Sequence, residues 1–177
     1  MKSNISKYLS YILRHKPDSI GLKLDKNGWA DLDELILKTA EFNLSKQIIQ
    51  EVVVNSHKKR FDILDNKIRA NQGHSIGIDL DLEPVIPPNV LYHGTATRFL
   101  TSILEHGIMS KDRDYVHLSD SKYMAIETGK RHGKPYLITI NSQKMYKDRY
   151  EFFLTKNGVW LTKYVPIKYI QAEDKDV

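Results

Sequence analysis

The chain has no cysteine. That absence removes disulfides, zinc ribbons, iron–sulfur clusters and thiol nucleophiles from consideration. No apolar run comes near the roughly 20 residues that a membrane span needs. The first residues, MKSNISKYLSYILRHK, alternate polar and apolar types and do not read as a secretory signal. A cytoplasmic protein with no membrane partner is therefore expected. Proline is scarce, and three of the six prolines fall together at Pro84, Pro87 and Pro88. Proline supplies no backbone donor, so 80–89 reads as the boundary between a domain at 1–83 and another at 89–177. Several chemistry-bearing motifs are also missing. There is no GxGxxG, no GxxxxGK followed by Ser or Thr, no HExxH and no GxSxG. His93, His106, His117 and His132 lack metal-ligand spacing, so no metal is expected.

What is present is an ordinary globular composition: 177 residues, 41% hydrophobic and 28% charged. The size fits one domain or two small ones. A net charge of +5 permits a polyanionic partner without requiring one. Basic residues cluster at Arg14-His15-Lys16 and at His57-Lys58-Lys59-Arg60.

Periodicity predicts three helices and a hairpin in the first half. Ile5, Leu9, Ile12 and Leu13 form a helical stripe that Pro17 stops. Asp25-Lys26-Asn27-Gly28 is a turn before Trp29, and Asp31 with Glu34 forms a capping box for a helix carrying Leu32, Leu35, Ile36 and Ala40. Ser45 caps a third helix with Ile48, Ile49, Val52 and Val53 inside. Strands at 60–64 and 67–71 come next, joined at Asp65-Asn66. Helices leading into a two-stranded wing suggest a winged-helix lobe. The second half reads as strands at 90–92, 115–118, 135–140, 151–155, 159–162 and 165–171, with helices at 97–106 and 120–131, the latter capped by Ser119 or Asp120. The fold class is α+β with a mixed or antiparallel sheet.

The candidate chemistry lies in arginines and histidines beside Gly-containing segments. Arg14 and His15 end the first helix, either as cations suited to a helix C-terminus or as groups aimed at a ligand. Arg60 opens a wing strand, and Lys58 falls on the same strand face by alternation if the strand extends back that far; a solvated charge run is the competing reading. Arg69, Gln72, Gly73, His74 and Ser75 place a guanidinium, an amide, a glycine, an imidazole and a hydroxyl where a phosphate could sit; a polar loop is the alternative. His93-Gly94-Thr95 is expected to leave the first strand of the second half as a turn, with Gly94 admitting a ligand to the backbone. Arg113 precedes the strand that carries His117, and Ser119 is either a helix cap or a ligand contact.

Seven blocks occur in order: LSYILRHKP (9–17), DKNGWA (25–30), KKRF (58–61), IRANQGHS (68–75), LYHGT (91–95), YVHLS (115–119) and NGVWLT (157–162). Together they resemble the NAD-dependent RNA (tRNA) 2′-phosphotransferases over nearly the whole chain. The resemblance implies an N-terminal winged-helix RNA-binding lobe and a C-terminal ADP-ribosyltransferase-like lobe. It implies an enzyme that consumes NAD+ and acts on tRNA-like RNA carrying an internal 2′-phosphate; separately, a monomer is expected. The phosphate displaces nicotinamide, and a ribose hydroxyl then attacks phosphorus. RNA with a 2′-OH and ADP-ribose 1″,2″-cyclic phosphate are the products. Arg14, His15, Arg60 and Arg113 match the family's catalytic set. His93, Gly94, Thr95, His117 and Ser119 match its NAD-side positions. Lys58, Arg69, Gln72, His74 and Ser75 are the residues assigned to the RNA phosphates. Val159 stands where many protein ADP-ribosyltransferases carry a catalytic glutamate. Two other functions remain open: ADP-ribosylation of terminal nucleic-acid phosphates, and RNA binding without catalysis.

Overall fold

The computed structural model describes residues 2–172; residue 1 and residues 173–177 of the two expected domains lie outside the described residues. The chain forms two compact units, Met1–Asp81 and Leu82–Val177. The class is α+β, and every strand pairing among the described residues is antiparallel. No helix among them is long and apolar enough to cross a membrane.

In the first unit, α1 (Lys2–Arg14) buries the stripe Ile5, Leu9, Ile12 and Leu13. Each such side chain contributes about 1.5–3 kcal/mol when removed from water. Pro17 ends α1 and opens a short 3-10 turn, Pro17–Ile20. The Asp31 carboxylate accepts the Glu34 N–H and caps α2 (Leu32–Lys38). Thr39 leaves the helical conformation and its hydroxyl donates back to the Leu35 carbonyl, so Ala40 falls outside the helix and is exposed. Ser45 caps α3 (Lys46–Val54). The hairpin of β2 (Phe61–Leu64) and β3 (Lys67–Ala70) pairs Phe61 with Ala70 and Leu64 with Lys67. A third strand, β1 (Ala30–Asp31), pairs with β3 on its other side. Two residues are too few for an alternation pattern, so β1 left no signal in the sequence. The core packs α1, α2 and α3 on this sheet through Leu9, Leu35, Ile49, Phe61 and Ile68.

In the second unit, β7 (Pro135–Ile140) lies between β4 (Leu91–Ala96) and β11 (Ile170–Ala172). β4 is twice the expected length, because β7 pairs with it from Leu91–Ile140 through Ala96–Pro135. His93-Gly94-Thr95 is therefore strand, not turn. α4 (Leu100–His106) ends at Gly107, and β5 (Ile108–Met109) pairs with β10 (Tyr164–Val165). β6 (Val116–Leu118) pairs with β9 (Trp160–Thr162), which also pairs with β8 (Phe153–Leu154). α5 (Lys122–Gly129) is capped by Ser121 rather than by Ser119 or Asp120. The Ser119 hydroxyl accepts the Ser121 N–H, which sets the helix start two residues later. A short helix not expected from the sequence, α6 (Ser142–Lys147), comes after β7 and is capped by Asn141.

Candidate active site

Arg14 and His15 sit where α1 ends, and the 68–75 segment folds back against them. The Ser75 N–H donates to the Arg14 carbonyl at 3.0 Å, and His15 Nδ1 bonds Ser75 Oγ at 2.8 Å. Gly73 has φ +87, and a Cβ there would lie 3.6 Å from Arg14 Nη1, so the Arg14 side chain lies across the glycine. The Nε and Nη2 atoms of Arg14 are buried. The expected phosphate loop is thus the surface on which the α1 arginine and histidine are oriented.

Arg60 is held by its backbone. Asn71 is 7% exposed; its N–H donates to the Arg60 carbonyl at 2.9 Å and its Nδ2 donates to the Lys59 carbonyl at 2.7 Å. Lys59 has φ 40, a left-handed conformation that non-glycine residues rarely adopt. Lys58 lies in the turn before β2 and not on the strand, so strand alternation does not put it on a face with Arg60. His15 and Arg60 line one groove of about 490 Å³ with Lys7, Ser10, Tyr11 and Ser56.

The RNA-side candidates divide by exposure. Lys58 and Ser75 are exposed, and Gln72 and Arg69 are half-buried. The Arg69 guanidinium lies 4.6 Å over the Trp29 ring and donates to the Asn27 carbonyl. His74 is 3% exposed, and its Nε2 has no hydrogen-bond partner among the described residues. Burial first, then the charges of Arg14, His15 and Arg69, push its pKa down to about 4. His74 is therefore a neutral packing residue beneath a cationic cluster at neutral pH. The sequence places His74 in a polar segment that could meet a phosphate, and a lone imidazole there carries no sign of its own burial.

In the second unit, Tyr92 and Ser119 exchange backbone hydrogen bonds of 2.7 and 2.9 Å in a single bridge that joins β4 to the end of β6. Next to it, His93 Nδ1 donates to the His117 carbonyl at 3.0 Å. A carbonyl only accepts, so the His93 proton is on Nδ1. Burial lowers its pKa, against the raising effect of that hydrogen bond, and His132 and Arg113 lower it further. A neutral ring presents Nε2 as an acceptor. Arg113 Nη1 lies 3.2 Å from His117 Nδ1, and since arginine only donates, His117 carries its proton on Nε2 in that pair. Burial and the nearby Arg131 lower the pKa of Arg113.

The room that Gly94 leaves is taken by the protein itself. A Cβ there would lie 1.6 Å from the Ala125 carbonyl oxygen of α5, and one on Gly129 would lie 2.5 Å from the Thr95 carbonyl oxygen. The two glycines let the α5 backbone sit directly on β4. Thr95 is consequently 6% exposed. Sequence reasoning missed Tyr11, Lys7 and Ser10, although their spacing opposite the α1 apolar stripe could have flagged them. It also missed Asn71 as the clamp on Lys59 and Arg60, for which no sequence signal exists. Among the described residues, no three His, Asp or Glu side chains gather as metal ligands would.

A family model described as RNA 2′-phosphotransferase, Tpt1 / KptA family, matches residues 1–164. A probable RNA 2′-phosphotransferase of Acaryochloris marina is 54% identical over 169 residues, covering 93% of each chain. Proteins of the same description from Pectobacterium atrosepticum and Flavobacterium johnsoniae are 49% and 48% identical. These alignments cover 96% and 95% of this chain and 97% and 94% of theirs.

Proposed function

Because the chain belongs to the RNA 2′-phosphotransferase, Tpt1 / KptA family, we propose that it is a transferase that removes an internal RNA 2′-phosphate by passing it to NAD+. The observation that most supports this reading is the pairing of His15 and Arg60 on one groove; Arg14, the chain neighbour of His15, lies over Gly73. A guanidinium pair and an imidazole suit a phosphate dianion, which they bind by charge-assisted, forked hydrogen bonds.

The second unit carries groups suited to a dinucleotide. Arg113, with Arg131 nearby, offers positive charge to a pyrophosphate. The neutral His93 offers an acceptor to a ribose hydroxyl. Thr95 shares β4 with His93, His117 lies in β6, and Ser119 follows β6 directly. Bound NAD+ supplies an electrophilic ribose carbon with nicotinamide as its leaving group.

In the first step an oxygen of the RNA 2′-phosphate bonds to that carbon, and nicotinamide departs with the electron pair of the broken bond. The phosphate already carries its charge, so no carboxylate base is needed. In the second step a neighbouring ribose hydroxyl bonds to phosphorus, and the bond from phosphorus to the RNA 2′-oxygen breaks. The hydroxyl proton must leave, and the departing 2′-oxygen must gain one. His15, oriented through Nδ1 by Ser75, is the proton carrier. Arg14 and Arg60 hold the charge that grows on the phosphorus oxygens.

The test is an incubation of 2′-phosphorylated RNA with the protein and NAD+. Release of nicotinamide, 2′-OH RNA and ADP-ribose cyclic phosphate is expected. Nicotinamide release that stops at an ADP-ribosylated phosphate would reduce the activity to ADP-ribosylation. RNA binding with no consumption of NAD+ would remove the enzymatic reading.

A further inference from the structure

The groove that holds His15 and Arg60 extends past the residues that the phosphate chemistry needs. Ser3, Lys7, Tyr11 and His15 stand at intervals of four, a single row along α1, with Ser6 and Ser10 beside it. From Ser3 to Tyr11 the row runs roughly 12 Å before reaching His15 one turn later. The facing wall comes from the C-terminal end of α3 and the turn after it, through Val52, Asn55 and Ser56. Among the described residues, no carboxylate lines the groove. Lys2 at its far end is paired with Glu51 at 2.7 Å, whereas Lys7 and Arg60 have no ion pair among the described residues. Tyr11 is 50% exposed, a large aromatic face kept in water between Lys7 and His15.

We infer that this row is the track for the RNA strand on one side of the 2′-phosphate: Lys7 and the serine hydroxyls hold its backbone, and Tyr11 stacks the base next to the phosphorylated nucleotide. The inference rests on the proposed RNA 2′-phosphate reaction. Its chemistry fits a single strand. An ammonium and hydroxyls with no competing carboxylate suit phosphates and ribose hydroxyls, and an exposed ring beside them accepts any base face. Contacts of this kind position a strand and do not read its sequence.

The experiment measures affinity by fluorescence anisotropy for three single-stranded RNAs, each with one internal 2′-phosphate: a trinucleotide, and the same trinucleotide extended by three nucleotides on the 5′ side or on the 3′ side. One of the two extensions is expected to bind the wild type more tightly than the trinucleotide does. Tyr11→Ala should weaken that extended RNA between about fivefold and a hundredfold, and more than it weakens the trinucleotide, while Tyr11→Phe keeps the gain. Lys7→Ala should lower the slope of log affinity against log salt by about 0.7. Lys7 is exposed, Tyr11 is half exposed, and neither belongs to the core of the first unit, so both variants should fold. Equal binding of all three RNAs by the wild type overturns the inference, as does equal loss on trinucleotide and extended RNA in both variants. Length-dependent binding that needs Tyr11, with no phosphate leaving the RNA when NAD+ is added, keeps the track and removes the transfer reaction. Transfer with no length dependence does the reverse.

Discussion

His74 makes the stability of the first unit depend on pH. Its imidazole is 3% exposed, its pKa is depressed to about 4 by burial and by Arg14, His15 and Arg69, and in the unfolded chain it returns to about 6.5. Between those values the unfolded chain binds a proton that the fold does not. Stability therefore rises with pH across this window and falls on acidification. Integrating the difference in proton binding gives a loss of about 1.2 kcal/mol from pH 7 to 5.5, and about 2.8 kcal/mol by pH 4. Below the folded pKa the loss levels off, since both states are then protonated.

Trp29 lies in the first unit, under Arg69, and Trp160 in the second, so Trp160→Phe leaves a single indole reporting on the first unit. Urea unfolding of this protein, monitored by Trp29 fluorescence from pH 4 to 7, is compared with the same series carrying His74→Leu or His74→Asn. Other groups titrate in both backgrounds and cancel. The wild-type curve should fall below the His74 variants' curves by about the stated amounts as pH drops. Parallel curves would refute the argument, because they would mean that His74 titrates alike in the folded and unfolded states.

The geometry sets three other outcomes. Gly94→Ala puts a methyl 1.6 Å from the Ala125 carbonyl oxygen, backbone against backbone; it should destabilise the second unit by about 3 kcal/mol or more, read as a lower thermal midpoint for the Trp160 signal, and an unchanged midpoint contradicts the packing. Arg60→Ser should slow the second chemical step by about a hundredfold and more than the first, so a gel time course should show ADP-ribosylated RNA accumulating; direct conversion of substrate to 2′-OH product would show that Arg60 does not serve that step. His93→Ala should raise the KM for NAD+ while leaving RNA affinity near wild type, since His93 belongs to the second unit; loss of RNA affinity with an unchanged KM for NAD+ would reverse the division of labour.

The sequence by itself determined the elements whose signal is local. The α1 stripe of Ile5, Leu9, Ile12 and Leu13, the Asp31 and Ser45 caps, the Asp65-Asn66 turn and the limits of β7 all match their residues in the fold. Periodicity, capping and turn chemistry act over a few residues and need no distant partner. Features that depended on distant contacts were settled only by tertiary structure. β4 runs to Ala96 because β7 offers it a full ladder, and Gly94 serves the close approach of α5, whose position no residue near Gly94 encodes. Lys58 lies in the turn before β2, and Asn71, at the open end of the hairpin, holds the Lys59–Arg60 backbone that follows it. The residue types of the candidate site were legible as a set of arginines and histidines. Their division into groups facing a groove, such as His15 and Arg60, and buried groups, such as His74, was not. Burial belongs to the surroundings that long-range packing assembles, and the same imidazole is a surface donor in one setting and a neutral core residue in the other.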